Sequence, residues 1–465
     1  MQAPMLPRQS SWRQEAGHLA GSGVTLAFNQ LLQIAIPFIT TSMTGRLGVD
    51  ELASGSLVGS IGLLLFITTI GVLQGVVPLA GAGIGAGDDA AATGAIRGVL
   101  VIAAAMGIAA TAIMAGVPWC LAHSGQDPAL VALAQRFIVA LLPGYLPGIL
   151  GLAARFSLIA ANDLKWLNPI IITGIAFNLA CNLLFAGSGP EGLTVIGTVI
   201  SVTNWLTFLL LAAAMWRSKR IPSGLLDSKA GLAVRAVLSL GIPVGAIFFT
   251  ETLLFTGSSL LMGYFGKVAL AAHGIVLLWL NIALMMPIGL SSAAMARVAF
   301  LLGQRESVAL KHAVVVSLLV GSAVSIVIGA LLVANSDSLV RLAMWSRSGG
   351  SEAVIETARG FFIFCAITQL MSGLVIVMAS ILRGLRDPNA VLWLVMLGYW
   401  GVGLGGAGLF GFALDLGGTG IWLGIVLAFV FAVVLLATRF SRAFARLRQA
   451  QVIRPAVSTS RAPYS

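Results

Sequence analysis

Apolar residues in this chain neither alternate nor form narrow stripes. They come in blocks of about 20, the length that crosses a bilayer as a helix, separated by short polar connectors. Twelve such blocks lie near residues 24–45, 55–78, 95–117, 132–158, 167–186, 193–215, 236–263, 268–300, 312–334, 354–382, 390–412 and 417–438, here spans 1 to 12 in order. Several exceed what a bilayer needs, which tilt or extension past the hydrocarbon accommodates. A transmembrane barrel would show short alternating segments instead. The pattern predicts an all-α membrane protein of twelve transmembrane helices.

Composition agrees: 58% of residues are hydrophobic and 9% charged, against about 25% charged in soluble domains. The net charge of +11 is not a nucleic-acid footprint, because the basic residues sit in connectors and at the tail. With both termini placed in the cytoplasm, 21 of the 27 Lys and Arg fall on the inner side, and only Arg46, Arg136, Lys267, Arg341, Arg347 and Arg359 fall outside. That asymmetry is the positive-inside signal. The first apolar block has no small-residue cleavage site after it and reads as a retained span. The three cysteines, Cys120, Cys181 and Cys365, are scattered through apolar sequence and read as core thiols. The four histidines lie too far apart for a local metal motif. The Gly81–Gly87 run follows a membrane helix rather than a strand, so it is not a phosphate loop. No nucleophile–base arrangement is visible, and no enzyme, cofactor or metal is expected.

The longest basic connector divides the chain evenly. The expected organisation is a cytoplasmic N-terminal segment over 1–23, a first half over 24–215 holding spans 1–6, a basic cytoplasmic linker over 216–235, a second half over 236–438 holding spans 7–12, and a basic cytoplasmic tail over 439–465. Gly45, Gly48, Leu52 and Ala53 after span 1 match Gly263, Gly266, Leu270 and Ala271 after span 7 at one constant offset. Asn162-Asp163 before span 5 parallels Arg386-Asp387-Pro388 before span 11. Two six-helix units that enter the membrane in the same direction are parallel repeats, whose substrate and ion sites lie near the midplane. Pro37, Pro143, Pro147, Pro243 and Pro287 can bend their spans.

Of 16 acidic residues, Glu251 alone falls in the middle of an apolar block; the others map to loops, tails or helix ends. An ionisable group at that depth is costly and marks an ion or proton relay by default, the bland alternative being a protonated Glu bonded to a neighbouring helix. Asn178 and Asn182 are four apart on one face of span 5, where they either line a polar cavity or bond across helices as packing glue. Span 1 offers Gln30, Gln33, Thr40 and Thr41, although threonine in a membrane helix usually bonds its own backbone. Gln369 and Ser372 in span 10 are the corresponding polar candidates in the second half. Met285, Met286, Met371 and Met378 suit an adaptable apolar pocket or plain core filling.

Several segments together resemble the multidrug and toxic compound extrusion (MATE) family, most closely its bacterial NorM-like branch. They are Gly241-Ile-Pro243, Phe248-Phe249-Thr-Glu251, Ala271-Ala272-His273, Met286-Pro287 with Arg297, Leu302-Gly303-Gln304, Gln369-Leu370, Leu382-Arg383-Gly384-Leu385-Arg386-Asp387 and Asn178-x-x-x-Asn182. The match runs from about residue 15 to 440. It implies a two-lobed, V-shaped antiporter of the bacterial inner membrane, acting as a monomer, that exports small organic cations and drugs against inward H⁺ or Na⁺. Glu251 matches the family's span-7 coupling and substrate-contact acid. Two family positions that often hold Asp differ here: Thr40 follows Phe38-Ile39 in span 1, and Ser372 follows Gln369-Leu370-Met371 in span 10. Glu251 is then the single formal negative charge expected within the spans, with Thr40, Asn178 and Asn182 as an N-lobe polar site and Gln369 and Ser372 as a C-lobe one. A lipid-linked oligosaccharide flippase and a membrane protein that binds without transporting are the alternatives. A dedicated metabolite exporter fits as well as broad drug efflux.

Overall fold

The chain was studied as a computed structural model, which describes residues 12–123, 127–187, 190–218, 230–343 and 352–452. Residues 1–11, most of the expected linker (219–229) and 453–465 lie outside the described residues. Twelve helices are long and apolar enough to cross a membrane. Spans 1 to 6 are Trp12–Leu47, Asp50–Gly85, Asp89–His123, Pro128–Ala160, Leu167–Phe185 and Glu191–Arg217. Spans 7 to 12 are Gly231–Gly263, Lys267–Gln304, Ser307–Ala334, Glu352–Gly384, Pro388–Ala413 and Gly417–Arg442. The protein is a multi-pass integral membrane protein, as the apolar blocks predict.

Span 1 begins at Trp12, well before its apolar block, because its first turns are held by side chains: Trp12 packs against the His312 ring with centroids 4.3 Å apart and the planes tilted by 37°, and Glu15 pairs with Arg297. Spans 1 and 2 are each interrupted inside the membrane, at Ile34 and at Gln74-Gly75. Each break has a proline behind it. Pro37 and Pro78 have no N–H to offer the carbonyls four residues earlier, Gln33 and Gln74. Gln74 instead accepts from Val77 N–H at 3.0 Å, in a tighter turn. Span 11 carries two π-helical stretches, Leu397–Leu404 and Leu409–Ala413, in a glycine-rich sequence that lies flush on span 12.

Four inter-helix turns form two pairs six spans apart. Gly87 after span 2 and Arg305 after span 8 have φ of 71° and 60°; Asn162 after span 4 and Arg386 after span 10 have 53° and 63°. In all four, the next amide reaches back five residues: Asp88 to Gly83, Glu306 to Leu301, Asp163 to Leu158 and Asp387 to Leu382, which is the Schellman way of ending a helix. Asp163 then accepts from Ser218 at the end of span 6, and Asp387 accepts from Arg439 (2.8 and 2.5 Å) at the end of span 12. Helix contacts repeat in the same way. Span 1 packs on spans 8 and 9, and span 7 packs on spans 2 and 3; span 4 packs on span 6, and span 10 on span 12.

Contacts between the two sets of six gather at one end, the base, which carries Trp12, Gly85, Ala160, Gln304, Gly384 and Arg442. The seam there is made close by glycine. A Cβ on Gly71 would lie 2.3 Å from Gly245 Cα, and one on Gly241 would lie 2.1 Å from the Val72 carbonyl. Spans 1 and 8 meet the same way at Gly289 and Ala27 (2.2 Å), and spans 2 and 8 at Gly303 and the Ala82 carbonyl (2.1 Å). Towards the far end the close approaches stay within one half: Gly55 with Thr44, Gly192 with Leu47, Gly257 with Leu404. Past its break, span 1 (Ala35–Leu47) packs mainly on spans 2, 5 and 6.

Candidate functional site

Glu251 lies on span 7, six residues beyond Gly245, the last glycine of the seam, and it is partly exposed. No hydrogen bond reaches its carboxylate among the described residues. Its charged and polar neighbours come from other spans. The Arg383 guanidinium at the end of span 10 is within electrostatic reach, and so is the buried Tyr399 phenol on span 11. Arg383 also sits over the Phe248 ring, 5.9 Å from its centroid. Phe248 is one turn before Glu251 on the same helix face, so the ring seats the guanidinium beside the acid.

Arg383 is buried. Its Nη2 donates to Ser380 Oγ at 2.5 Å, its Nη1 donates to Gln74 Oε1 at 3.4 Å, and its Nε has no partner among the described residues. Gln74 belongs to span 2, so this contact crosses between the halves at the point where span 2 breaks. The other broken span is treated alike. Arg155 of span 4 is buried and donates to Gln33 Oε1 (2.6 Å) and Gln30 Oε1 (2.5 Å) of span 1, beside the Ile34 break. Gln33 Nε2 in turn donates to Gln30 at 2.6 Å. Sequence reasoning placed Arg155 and Arg383 among the inner basic residues. The structure turns both inward, onto the glutamines four residues before Pro37 and Pro78.

Another acid is more deeply enclosed than Glu251. Glu15, placed by the sequence reading in a solvated N-terminal segment, is 1% exposed and accepts from Arg297 Nε (2.9 Å) and Nη2 (2.6 Å). This pair ties span 1 to span 8 at the base.

The remaining sequence candidates are not brought to Glu251. Asn178 and Asn182 are buried within the first half. Asn178 Nδ2 donates to Thr203 Oγ1 of span 6 at 3.2 Å, and Asn182 Nδ2 donates to the Asn178 carbonyl and side chain at 2.9 and 3.1 Å. Thr40 donates to its own helix at the Ile36 carbonyl, 2.9 Å away, and no hydrogen bond joins it to the asparagines. Gln369 Nε2 donates to the Ala283 carbonyl at 3.3 Å, the carbonyl that Pro287 leaves without its helical donor. Ser372 donates to the Gln369 carbonyl at 3.2 Å. Gln369 Oε1 and the nearby hydroxyls of Thr368 and Ser325 have no partner among the described residues. The buried His273 of the resemblance faces Ser259 Oγ at 3.2 Å and the Trp422 ring. No group of three or more His, Cys, Asp or Glu that could hold a metal occurs among the described residues.

Comparison with known proteins places this architecture. A "Probable multidrug resistance protein NorM" of Agrobacterium fabrum is 30% identical, over 90% of this chain and 92% of its own. Among solved structures, the outward-facing conformation of a multidrug resistance MATE family transporter superposes with a TM-score of 0.85 at 15% identity, covering 95% of this chain and 98% of that one. The Vibrio cholerae MATE transporter VcmN in its bent form gives 0.84 at 16%, covering 94% and 99%. At such identities the structures speak for the fold. The MatE family model matches residues 26–184 and 243–409, which takes in both halves and Glu251, and the chain therefore belongs to the MatE family of transporters.

Proposed function

We propose that this protein is a secondary active exporter of the bacterial inner membrane, with both termini cytoplasmic, in which two six-span lobes alternately expose a central site. Inward flow of H⁺ or Na⁺ drives out small organic, cationic or amphipathic drugs or metabolites. One observation carries the reading: Glu251 presents a carboxylate without a hydrogen-bond donor among the described residues, partly open, at the junction of spans 7, 10 and 11. A cation arriving from the far end neutralises it, weakens its hold on a cationic substrate and favours release. Binding must differ between the two arrangements for the ion to drive anything. With the contacts between halves gathered at the base, the arrangement corresponds to the outward-open one.

The test is ethidium efflux from energised vesicles, with Na⁺ and pH gradients imposed separately, for wild type and Glu251→Gln. The expected result is efflux driven by one gradient and lost in the variant, which still inserts and purifies. Wild-type-like export by Glu251→Gln would overturn the assignment. A second reading, export of a substrate bearing an anionic group such as a lipid-linked oligosaccharide, is favoured by the buried Arg155, whose hydrogen bonds go to the neutral side chains of Gln30 and Gln33. Under it, ethidium efflux fails with both gradients.

A further inference from the structure

Arg383 occupies a peculiar position. It is buried where spans 2, 7 and 10 meet, and the side chains it donates to, Gln74 and Ser380, are neutral. Phe248 beneath it is apolar. Among the described residues, the negative charge that acts on it is that of Glu251, one turn beyond Phe248 on span 7. The void beside it, lined by Gln74, Gly75, Pro78, Leu240, Val244, Met295 and Pro388, holds no room for water. A guanidinium so enclosed is tolerable while a carboxylate balances it. Removing the partner of a buried charge strands that charge and is strongly destabilising.

We propose that Arg383 is the positioning residue that connects the charge of Glu251 to the closure of the base. While Glu251 is ionised, Arg383 is balanced and holds Gln74 across the two halves at the break in span 2. When a cation neutralises Glu251, Arg383 is left uncompensated inside the closed seam. Parting the halves at the base relieves this, because water then reaches the guanidinium. The cation-loaded protein thus opens at its base and the empty one keeps it closed, the sign an antiporter needs. The inference rests on Glu251 as the coupling acid. It adds that the signal leaves Glu251 through the opposite charge on span 10 and is read at Gln74, which lies on a hinge because Pro78 leaves the helix broken there.

The experiment needs no transport and no substrate. Cys120, Cys181 and Cys365 are replaced by alanine, and a reporter cysteine is placed at Val237, which is fully buried on span 7 with its carbonyl against Gly75. The protein is held in lipid nanodiscs. The rate at which a small hydrophilic methanethiosulfonate labels the reporter measures how often the base opens, even when open molecules are rare. Glu251→Gln should raise the rate by about fivefold or more, the lower range of typical coupling between sites. Adding Arg383→Gln to Glu251→Gln should return the rate towards that of the parent, because no stranded charge remains. An unchanged rate in Glu251→Gln, or a rise that persists in the double variant, overturns the proposal. Arg383→Met provides the same comparison if Arg383→Gln does not fold. Loss of efflux in Glu251→Gln without any change in labelling would leave the exporter reading standing and remove this one.

Discussion

Replacing Arg297 by alanine isolates the ion pair that closes the base between spans 1 and 8. Glu15 is 1% exposed and takes two hydrogen bonds from Arg297, at 2.9 and 2.6 Å, whereas the Arg297 side chain is 26% exposed. At a charge separation of about 4 Å and an effective dielectric of about 20, the attraction is on the order of 4 kcal/mol. Desolvation of Glu15 consumes part of this, and truncation strands that carboxylate where water is scarce. Losses of about 3–5 kcal/mol follow when one partner of a buried pair is removed, and the partial exposure of Arg297 puts the expectation near the low end, about 3 kcal/mol. Removing both charges with shape-matched apolar residues, Glu15→Leu with Arg297→Met, should cost much less, since well-packed apolar replacements of buried pairs are often neutral. Equilibrium unfolding in mixed micelles, followed by tryptophan fluorescence, supplies the three free energies needed. If the double variant is as unstable as Arg297→Ala, the stranded-charge argument fails and the cost is one of packing. If Arg297→Ala itself changes stability by less than about 0.5 kcal/mol, the typical scatter of surface substitutions, the pair does not hold the base.

Three further outcomes are expected. Gly241→Ala should destabilise by about 1–3 kcal/mol, the usual cost of overpacking, because its methyl would meet the Val72 carbonyl at 2.1 Å; the same unfolding measurement reads it, and Gly231→Ala, with nothing within 4 Å, is the control. Asn178→Ala should cost about 1–2 kcal/mol through the lost bonds to Thr203 and Asn182, while Thr40→Val, which gives up only a bond to its own helix, should unfold like wild type in thermal denaturation. Between spans 9 and 10, the hydrogen bond from Arg359 (2.5 and 3.0 Å) holds the Asp337 carboxyl below the usual carboxylate range. The stabilisation from a depressed carboxylate is complete above its unfolded-state value and fades as pH falls through the folded-state one. Asp337→Asn should therefore differ from wild type at neutral pH, and that difference should shrink as the medium is acidified past the usual carboxylate range in melting curves recorded against pH.

The twelve spans were legible because a bilayer imposes a length, and length survives in one dimension. Glu251 stood out because an acid inside an apolar block is costly and therefore conspicuous. Arg155, Arg383 and Glu15 were not. A charge a few residues from a helix end looks the same in sequence whether it points to water or turns inward, and the rule that places basic residues on the inner side absorbed both arginines. The signal that could have found them was the spacing of Gln33 to Pro37 and of Gln74 to Pro78. A proline four residues after a polar side chain marks a broken turn, and a broken turn within a membrane needs polar company. The partner of Gln369 was hidden for a related reason: its amide answers the carbonyl that Pro287 abandons, a bond between helices far apart in sequence. The asparagine pair, left open between cavity and glue, sits buried against Thr203 in the first half.

The glycine seam between spans 2 and 7 carries a kinetic consequence. Helices usually interlock by setting ridges of side chains into grooves, and one can move past another only by lifting those ridges over each other. Where Gly71 faces Gly245, and Gly75 faces Gly241, there are no teeth to disengage. Such a surface resists compression strongly and shear weakly. If the halves alternate as proposed, the charged contacts around the seam would set which arrangement is populated, and its bare backbone would set how quickly one gives way to the other.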